Sequence, residues 1–151
     1  MYKLFLNPFF LTILLAGLGT QIIKILIYRF KHKQSFHLKD LFVTGGMPSS
    51  HSSLMAGFTT ITFLTEGSTP LFFLTIALTA IILRDAMGVR RTAGEEGLTI
   101  NLLIKKLHPG IKPVHYSLGH TPKQVLVGSI LGLVSAVISY LITLFLFSRN
   151  P

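Results

Sequence analysis

Two histidines stand directly beside helix-start signals. His51 ends Pro-Ser-Ser-His at 48–51, His120 lies in Gly-His-Thr-Pro at 119–122, and an apolar run follows each motif. Serine and threonine are favoured N-caps and proline suits the first helical turn, so we expect a helix to begin at each motif. A helix N-terminus offers unpaired N–H groups and about half a positive charge. Two such ends on one face would bind an anion, and phosphate fits this description.

Charged and hydroxyl side chains near the same face complete the candidate site. A carboxylate at a membrane helix end is costly unless it is paired, so we expect Asp85 to orient an arginine or a histidine. One imidazole can attack phosphorus while the other, protonated, gives its proton to the leaving oxygen. We therefore predict His120, His51 and Asp85 as catalytic residues. The predicted phosphate ligands are Lys39, Ser49, Ser50, Arg84, Arg90 and Arg91.

This chemistry requires neither a metal ion nor a cofactor, and we expect none. The sequence has no cysteine, which excludes a disulfide framework and a Cys-ligated zinc site. It also has no histidine pair at His-x-His or His-x-x-x-His spacing. A magnesium ion held through Asp85 and Glu95 is the weaker alternative.

The elements that must position these residues are membrane helices. The chain has 151 residues, of which 50% are hydrophobic and 13% charged. Runs near the roughly 20 apolar residues needed to cross a bilayer predict one all-α membrane domain over residues 1–151. Periodic leucines between Glu95 and Leu107 predict a short interfacial helix within the 84–122 loop. The four predicted spans are about 4–28, 49–65, 70–88 and 121–147, and the polar loops are 29–47 and 89–120.

The basic residues indicate topology rather than nucleic-acid binding. The net charge is +9, from 14 Lys and Arg against 5 Asp and Glu, and most of the bases lie in the two polar loops. A nucleic-acid surface would need a water-facing fold of its own, so we expect no such partner. The positive-inside rule places both loops, and therefore the site, on the cytoplasmic face of a multi-pass cell-membrane protein. Small residues in the last span predict close helix packing and a homodimer through Gly128, Gly132 and Ser135.

The motifs resemble those of the type-2 phosphatidic acid phosphatase and vanadium haloperoxidase superfamily. More closely, the chain is similar to a divergent branch of small bacterial and plastid membrane proteins. The resemblance rests on Gly-Gly-Met-Pro-Ser-Ser-His-Ser at 45–52, Arg-Asp-Ala-Met-Gly-Val-Arg-Arg at 84–91 and Gly-His-Thr-Pro at 119–122. It implies that His120 is the nucleophile, that His51 is the general acid, and that the arginines of 84–91 bind phosphate.

Three positions depart from the superfamily pattern. Met47 stands where the superfamily has an arginine before proline, and Lys39 is only an approximate substitute. Arg91 lies far before His120 in sequence, so only folding of the long loop can bring the two together. Gln124 replaces the acidic partner of the nucleophile, and an amide can fix a histidine tautomer but adds no negative charge.

The leading interpretation is a membrane-embedded, metal-independent phosphatase with a histidine nucleophile. Its substrate would be a lipid phosphate or diphosphate, because a head group can reach helix ends without leaving the bilayer. The alternative is a non-catalytic membrane protein that retains an anion or lipid-phosphate binding site, and the departures at Met47 and Gln124 keep this alternative open. Oxidation chemistry with bound vanadate is disfavoured, because so few crossings leave little protein to shield an oxidant.

Overall fold

The computed structural model describes residues 6–32 and 46–148, and these residues form helices with no β-strand among them. The all-α prediction is confirmed. The predicted phosphate ligand Lys39 lies outside the described residues. In chain order, α1 (Pro8–Ile13) passes through a π-helical segment (Leu14–Gly19) into α2 (Thr20–His32), and α3 (Ser50–Glu66), α4 (Pro70–Met87), α5 (Val89–Leu107) and α6 (Pro122–Ser148) follow.

The helices begin where local capping chemistry permits. Asn7 caps α1, Ser49 caps α3 and Thr69 caps α4, in each case by accepting backbone N–H groups of the first turn. Pro70 and Pro122 occupy the first positions of α4 and α6, where a missing N–H costs nothing. Helices α3, α4 and α6 therefore begin where the sequence carries capping residues or proline.

Helix α3 packs against α1, the π-helical segment, α4 and α6. A Cβ added to Gly132 would overlap the carbonyl oxygen of Ser53, and one added to Gly128 would overlap that of Ser49. The two backbones approach so closely that only glycine fits at these points. Since lipid gives apolar helices no reason to associate, such close packing is what holds them together. The buried residues of α3 are Ser52, Ser53, Gly57, Ile61 and Thr62.

The small-residue face of α6 is therefore occupied within the chain. Gly128 and Gly132 are buried against α3, and the Ser135 hydroxyl donates to the Leu131 carbonyl of its own helix. A second copy could use this face only by displacing α3. The homodimer stays a prediction, but the surface expected to form it serves intrachain packing.

Three helical stretches in the described part of the chain are long and apolar enough to cross a membrane. They are Pro8–Ile27, Pro70–Leu107 and Pro122–Leu146, the second of which runs through the junction of α4 and α5. Helix α3 has 17 residues, or about 25 Å at 1.5 Å per residue, against a hydrocarbon core of about 30 Å. A membrane protein is thus supported by three spans, and the fourth crossing stays a prediction.

The helix that was predicted to lie at the membrane interface is longer than predicted. Helix α5 begins at Val89, directly after Gly88, instead of near Glu95. Gly88 still donates its N–H to the Arg84 carbonyl, and its own carbonyl accepts the N–H of Arg91, so one residue makes the corner. Residues from 89 onward were expected to be loop because they are charged. A charged segment can also form a helix when its apolar residues align in one stripe.

We predict that Gly132→Ala destabilises the protein, because the new Cβ would overlap the Ser53 carbonyl oxygen in the α3–α6 contact. Overpacking of this kind costs about 1–3 kcal/mol. Thermal unfolding in detergent should show a lower midpoint for this variant. Gly19→Ala is the matched control, because no atom lies within 4 Å of its added Cβ. Equal midpoints for the two variants would contradict the packing account.

Candidate active site

A cleft of about 870 Å³ lies where α2, α3, the α4–α5 corner and the segment before α6 meet. We call it the site cleft. It brings together residues that are far apart in sequence and that were predicted to act together. Those predicted residues are Ser50, His51, Asp85, Arg90 and His120.

His120 is held at the wall of the site cleft by its own backbone. Its N–H donates to the carbonyl of Ala86 near the end of α4, at 2.9 Å. The preceding Gly119 lies against the backbone of Arg90 and Arg91, so closely that a Cβ there would overlap it. The side chain of His120 is 8% exposed. This histidine is therefore fixed to the α4–α5 corner rather than carried on a free loop.

The extended segment before α6 docks on one face of α5. The Asn101 amide donates to the Val114 carbonyl at 2.8 Å and accepts the Val114 N–H at 2.7 Å. One and two turns earlier, Gly97 and Gly94 leave room for residues 116–118 of this segment. Positions 94, 97 and 101 share a helix face because they follow helical spacing. This docking folds the long loop back, as the sequence required, and brings Gly119 beside Arg91.

Gln124 has two tasks at the start of α6. Its side-chain oxygen accepts the Thr121 N–H at 2.9 Å, while the Thr121 hydroxyl accepts the Gln124 N–H at 3.4 Å, which makes a capping box. The same oxygen lies 3.4 Å from Nδ1 of His120. Because a backbone N–H can only donate, the amide atom facing Thr121 must be the oxygen. His120 thus has an uncharged acceptor at the position where the superfamily has a carboxylate.

The start of α3 separates two serines that were both predicted to bind phosphate. Ser49 is fully buried. Its hydroxyl accepts hydrogen bonds from the Ser52 N–H at 3.4 Å and from the Ser52 hydroxyl at 2.8 Å. Ser50 and His51 instead line the site cleft. The Ser49 N–H also donates to the Gln124 carbonyl at 3.2 Å, which ties the two helix starts together. The predicted phosphate contact of Ser49 is thereby replaced by a capping role.

The three predicted arginines occupy different surroundings. Arg90 donates from Nε to Oδ2 of Asp85 at 2.5 Å, and both residues line the site cleft. Arg91 forms an ion pair with Glu95 at 3.0 Å, and Arg84 lies exposed in the last turn of α4. Neither Arg84 nor Arg91 lines the site cleft. Arg90 is therefore the arginine placed to meet an anion there.

Sequence reasoning missed one cation. Lys24 of α2 is 6% exposed and lines the site cleft, although it lies within the first apolar run of the sequence. A lysine within a membrane span is costly, and such residues usually face a cavity or a partner. That cost was the signal that could have identified Lys24.

Metal ligands do not cluster in residues 6–32 and 46–148, where no three histidine, aspartate or glutamate side chains come together. The expectation that the protein needs no metal ion stays a prediction.

The surroundings of His120 keep its imidazole uncharged. Burial lowers the pKa of His120 below its ordinary value of 6.5, and the positive charges of Lys24 and His51 lower it further. Hydrogen bonds to Gln124 and to the Gly46 backbone act in the opposite direction but do not reverse the shift. A neutral imidazole has a lone pair available for nucleophilic attack.

We predict that stability falls in mild acid partly because of His120. Its pKa is lower in the folded than in the unfolded chain, so as the pH drops through 6.5 the unfolded chain binds a proton first. The stabilising contribution is fully present above 6.5 and is lost as the pH falls toward the folded pKa. Unfolding midpoints in detergent from about pH 5 to 8 should decline less for His120→Gln than for the wild type. Parallel profiles would contradict the burial of this imidazole.

Comparisons with known proteins agree with this description. A curated relative, the uncharacterized membrane protein YuiD of Bacillus subtilis (strain 168), is 34% identical over 114 residues, which cover 64% of this chain and 72% of the relative. No solved structure matches the chain. The model of the Divergent PAP2 family matches residues 5–135. The resemblance expected from the three motifs is confirmed, and the chain belongs to the Divergent PAP2 family.

Proposed function

We propose that this protein is a membrane-embedded phosphatase that hydrolyses a lipid phosphate or diphosphate through a histidine nucleophile. One observation carries the proposal: the buried His120 and the exposed His51 line the same cleft as the Asp85–Arg90 ion pair. A nucleophile, a proton donor and a phosphate-binding guanidinium are the parts that phosphoryl transfer needs. Membership of the Divergent PAP2 family agrees with this chemistry.

The first step forms a phosphohistidine. When Nδ1 of His120 donates to the Gln124 oxygen, Nε2 carries the lone pair that attacks phosphorus. The bond from phosphorus to the ester oxygen breaks, and protonated His51 gives its proton to that leaving oxygen. The guanidinium of Arg90 stabilises charge on the oxygens that remain on phosphorus.

The second step returns the enzyme to its starting state. Neutral His51 takes a proton from water as the water oxygen attacks phosphorus, and the bond to Nε2 of His120 breaks. Inorganic phosphate leaves with both histidines restored. Because Gln124 offers no negative charge to the imidazole as it becomes cationic, we expect slower turnover than a carboxylate partner would allow.

The lining of the site cleft favours a lipid substrate. Ile82, Ile100 and Leu118 line it together with the polar residues. The cleft lies between the ends of α3 and α6 and the amphipathic α5, where a head group can enter while its tail stays in the bilayer. A water-soluble phosphate ester would leave these apolar walls unused.

The alternative function is non-catalytic binding of a lipid phosphate. The use of the Gln124 oxygen by both Thr121 and His120 favours it, because no carboxylate then activates the nucleophile. In this case the cleft would retain phosphate without turnover. Measured hydrolysis separates the two functions.

The test is phosphate release by purified protein from phosphatidate, phosphatidylglycerol phosphate and undecaprenyl diphosphate. We predict that His120→Ala and His51→Ala each lower release by at least about 100-fold. His108→Ala is the matched control, because this exposed histidine lies outside the site cleft, and it should retain activity. An acid-labile phosphoryl label should form on the wild type but not on His120→Ala. Equal phosphate release by the wild type and both site variants would contradict the proposed enzymatic function.

We also propose that the site cleft faces the cytoplasm. If α5 lies at the membrane interface as the sequence predicts, the basic residues between α4 and α6, including Lys105, Lys106 and Lys112, lie on the side of the cleft-forming helix ends. With α3 as a crossing, the turn at 67–69 and the end of α6 lie outside. Fusion reporters at these two places should report an external location. A cytoplasmic reporter signal at the end of α6 would overturn this orientation.

A further inference from the structure

Four residues of the first helical stretch share one buried line. Thr12, Ala16, Thr20 and Lys24 follow each other at intervals of four, and they are 0%, 0%, 1% and 6% exposed. In a regular α-helix each four-residue step overshoots a full turn by about 40°, so such a line would drift around the helix. The π-helical segment, Leu14–Gly19, interrupts this drift. Its wider turns close over five residues instead of four, which rotates α2 back.

The π-helical segment therefore directs Lys24 into the bundle. Thr20, one turn before it, donates its hydroxyl to Ser53 of α3 at 2.8 Å, which fixes the rotation of α2. Lys24 then reaches the level at which α3 begins. Without the π-helical turns, the same sequence would carry Lys24 toward lipid.

Three observations place the ammonium group near His120. Lys24 and His120 line the same cleft. A Cβ on Gly46 would lie 3.6 Å from Cε of Lys24, and Gly46 is close enough to the His120 ring to influence its pKa. The positive charge of Lys24 also acts on that ring. The cation thus borders the space in front of the proposed nucleophile.

We propose that Lys24 is a phosphate-binding residue of the site cleft, which holds the oxygens of a phosphate group opposite Arg90. This inference rests on the proposed function of the same cleft, and it applies equally to catalysis and to binding alone. An ammonium group is a compact charge with three donors, which complements the planar guanidinium of Arg90 on the oxygens of one phosphate group. A phosphate dianion would supply the negative charge that favours a lysine at membrane depth.

Lys24 adds to the site a lysine that the sequence pattern did not predict. Lys39 was predicted because it precedes α3 in sequence, and it lies outside the described residues, whereas Lys24 lines the cleft with Ser50 and His51. It comes from a different helix from the predicted site residues that the structure describes. The site is accordingly assembled from the first helical stretch as well as from the three motifs.

The test uses the full chain in detergent and the variants Lys24→Met and Lys24→Arg. Binding of orthophosphate and of orthovanadate is measured by isothermal titration calorimetry. We predict that Lys24→Met weakens both about 10- to 100-fold, as expected for a lost hydrogen bond to a charged group, and that Lys24→Arg retains most of the affinity. Lys105→Met is the matched control, because this exposed lysine of α5 does not line the site cleft.

Thermal stability separates binding from a structural role. If the ammonium group serves binding rather than folding, Lys24→Met, which keeps the length of the side chain, should leave the unfolding midpoint close to that of the wild type. Weaker phosphate binding with an unchanged or higher midpoint therefore supports the proposal. A lower midpoint together with lost binding, not restored by Lys24→Arg, would assign Lys24 a structural role and overturn it.

The failures of the two proposals are distinguishable. If the wild type and Lys24→Met bind phosphate and vanadate equally, the role of Lys24 is refuted while the proposed function stands. If the wild type binds neither anion, both proposals are overturned. If the wild type binds both anions but releases no phosphate from lipids, the role of Lys24 is still decided by the binding data.

Discussion

The backbone contact between α3 and α6 is the constraint on which the rest of the site depends. Gly128 and Gly132 let the carbonyl oxygens of Ser49 and Ser53 approach α6 more closely than any side chain would allow. At this separation the Ser49 N–H reaches the Gln124 carbonyl, so the two helix starts are joined directly. Both histidines follow or precede these starts by one or two residues. A wider spacing would move them to different walls and leave no common space for a phosphate group.

Glycines also permit close backbone contacts on α5. Gly94 and Gly97 remove side chains where the returning segment crosses the helix, and Gly119 does so where that segment meets the α4–α5 corner. Threonine, serine, glycine and alanine make up most of the buried set among the described residues, while large apolar side chains face outward. This inversion suits a membrane, because apolar surfaces gain nothing by leaving lipid and close contact supplies the attraction. The polar cleft can therefore lie among small residues.

The charges around the cleft determine what chemistry it supports. Asp85 is paired with Arg90, so the carboxylate offers its charge to a guanidinium rather than to an imidazole. His120 is left with a neutral amide partner, burial and a nearby lysine, all compatible with an uncharged ring. The site therefore keeps the lone pair that nucleophilic attack needs, but it has no carboxylate to strengthen the nucleophile. Its two proposed functions differ in the rate of one step rather than in architecture.

The sequence by itself determined the all-helical membrane class and the family, because hydropathy and the motifs are local properties. It also identified His51, Asp85 and Arg90, which line the cleft. Tertiary structure alone decided which of two adjacent predicted residues faces the cleft, because adjacent helical residues point about 100° apart. That rotation buried Ser49 beside Ser50 and turned Arg84 and Arg91 away. It also brought in Lys24, whose direction depends on a π-helical segment that periodicity did not predict.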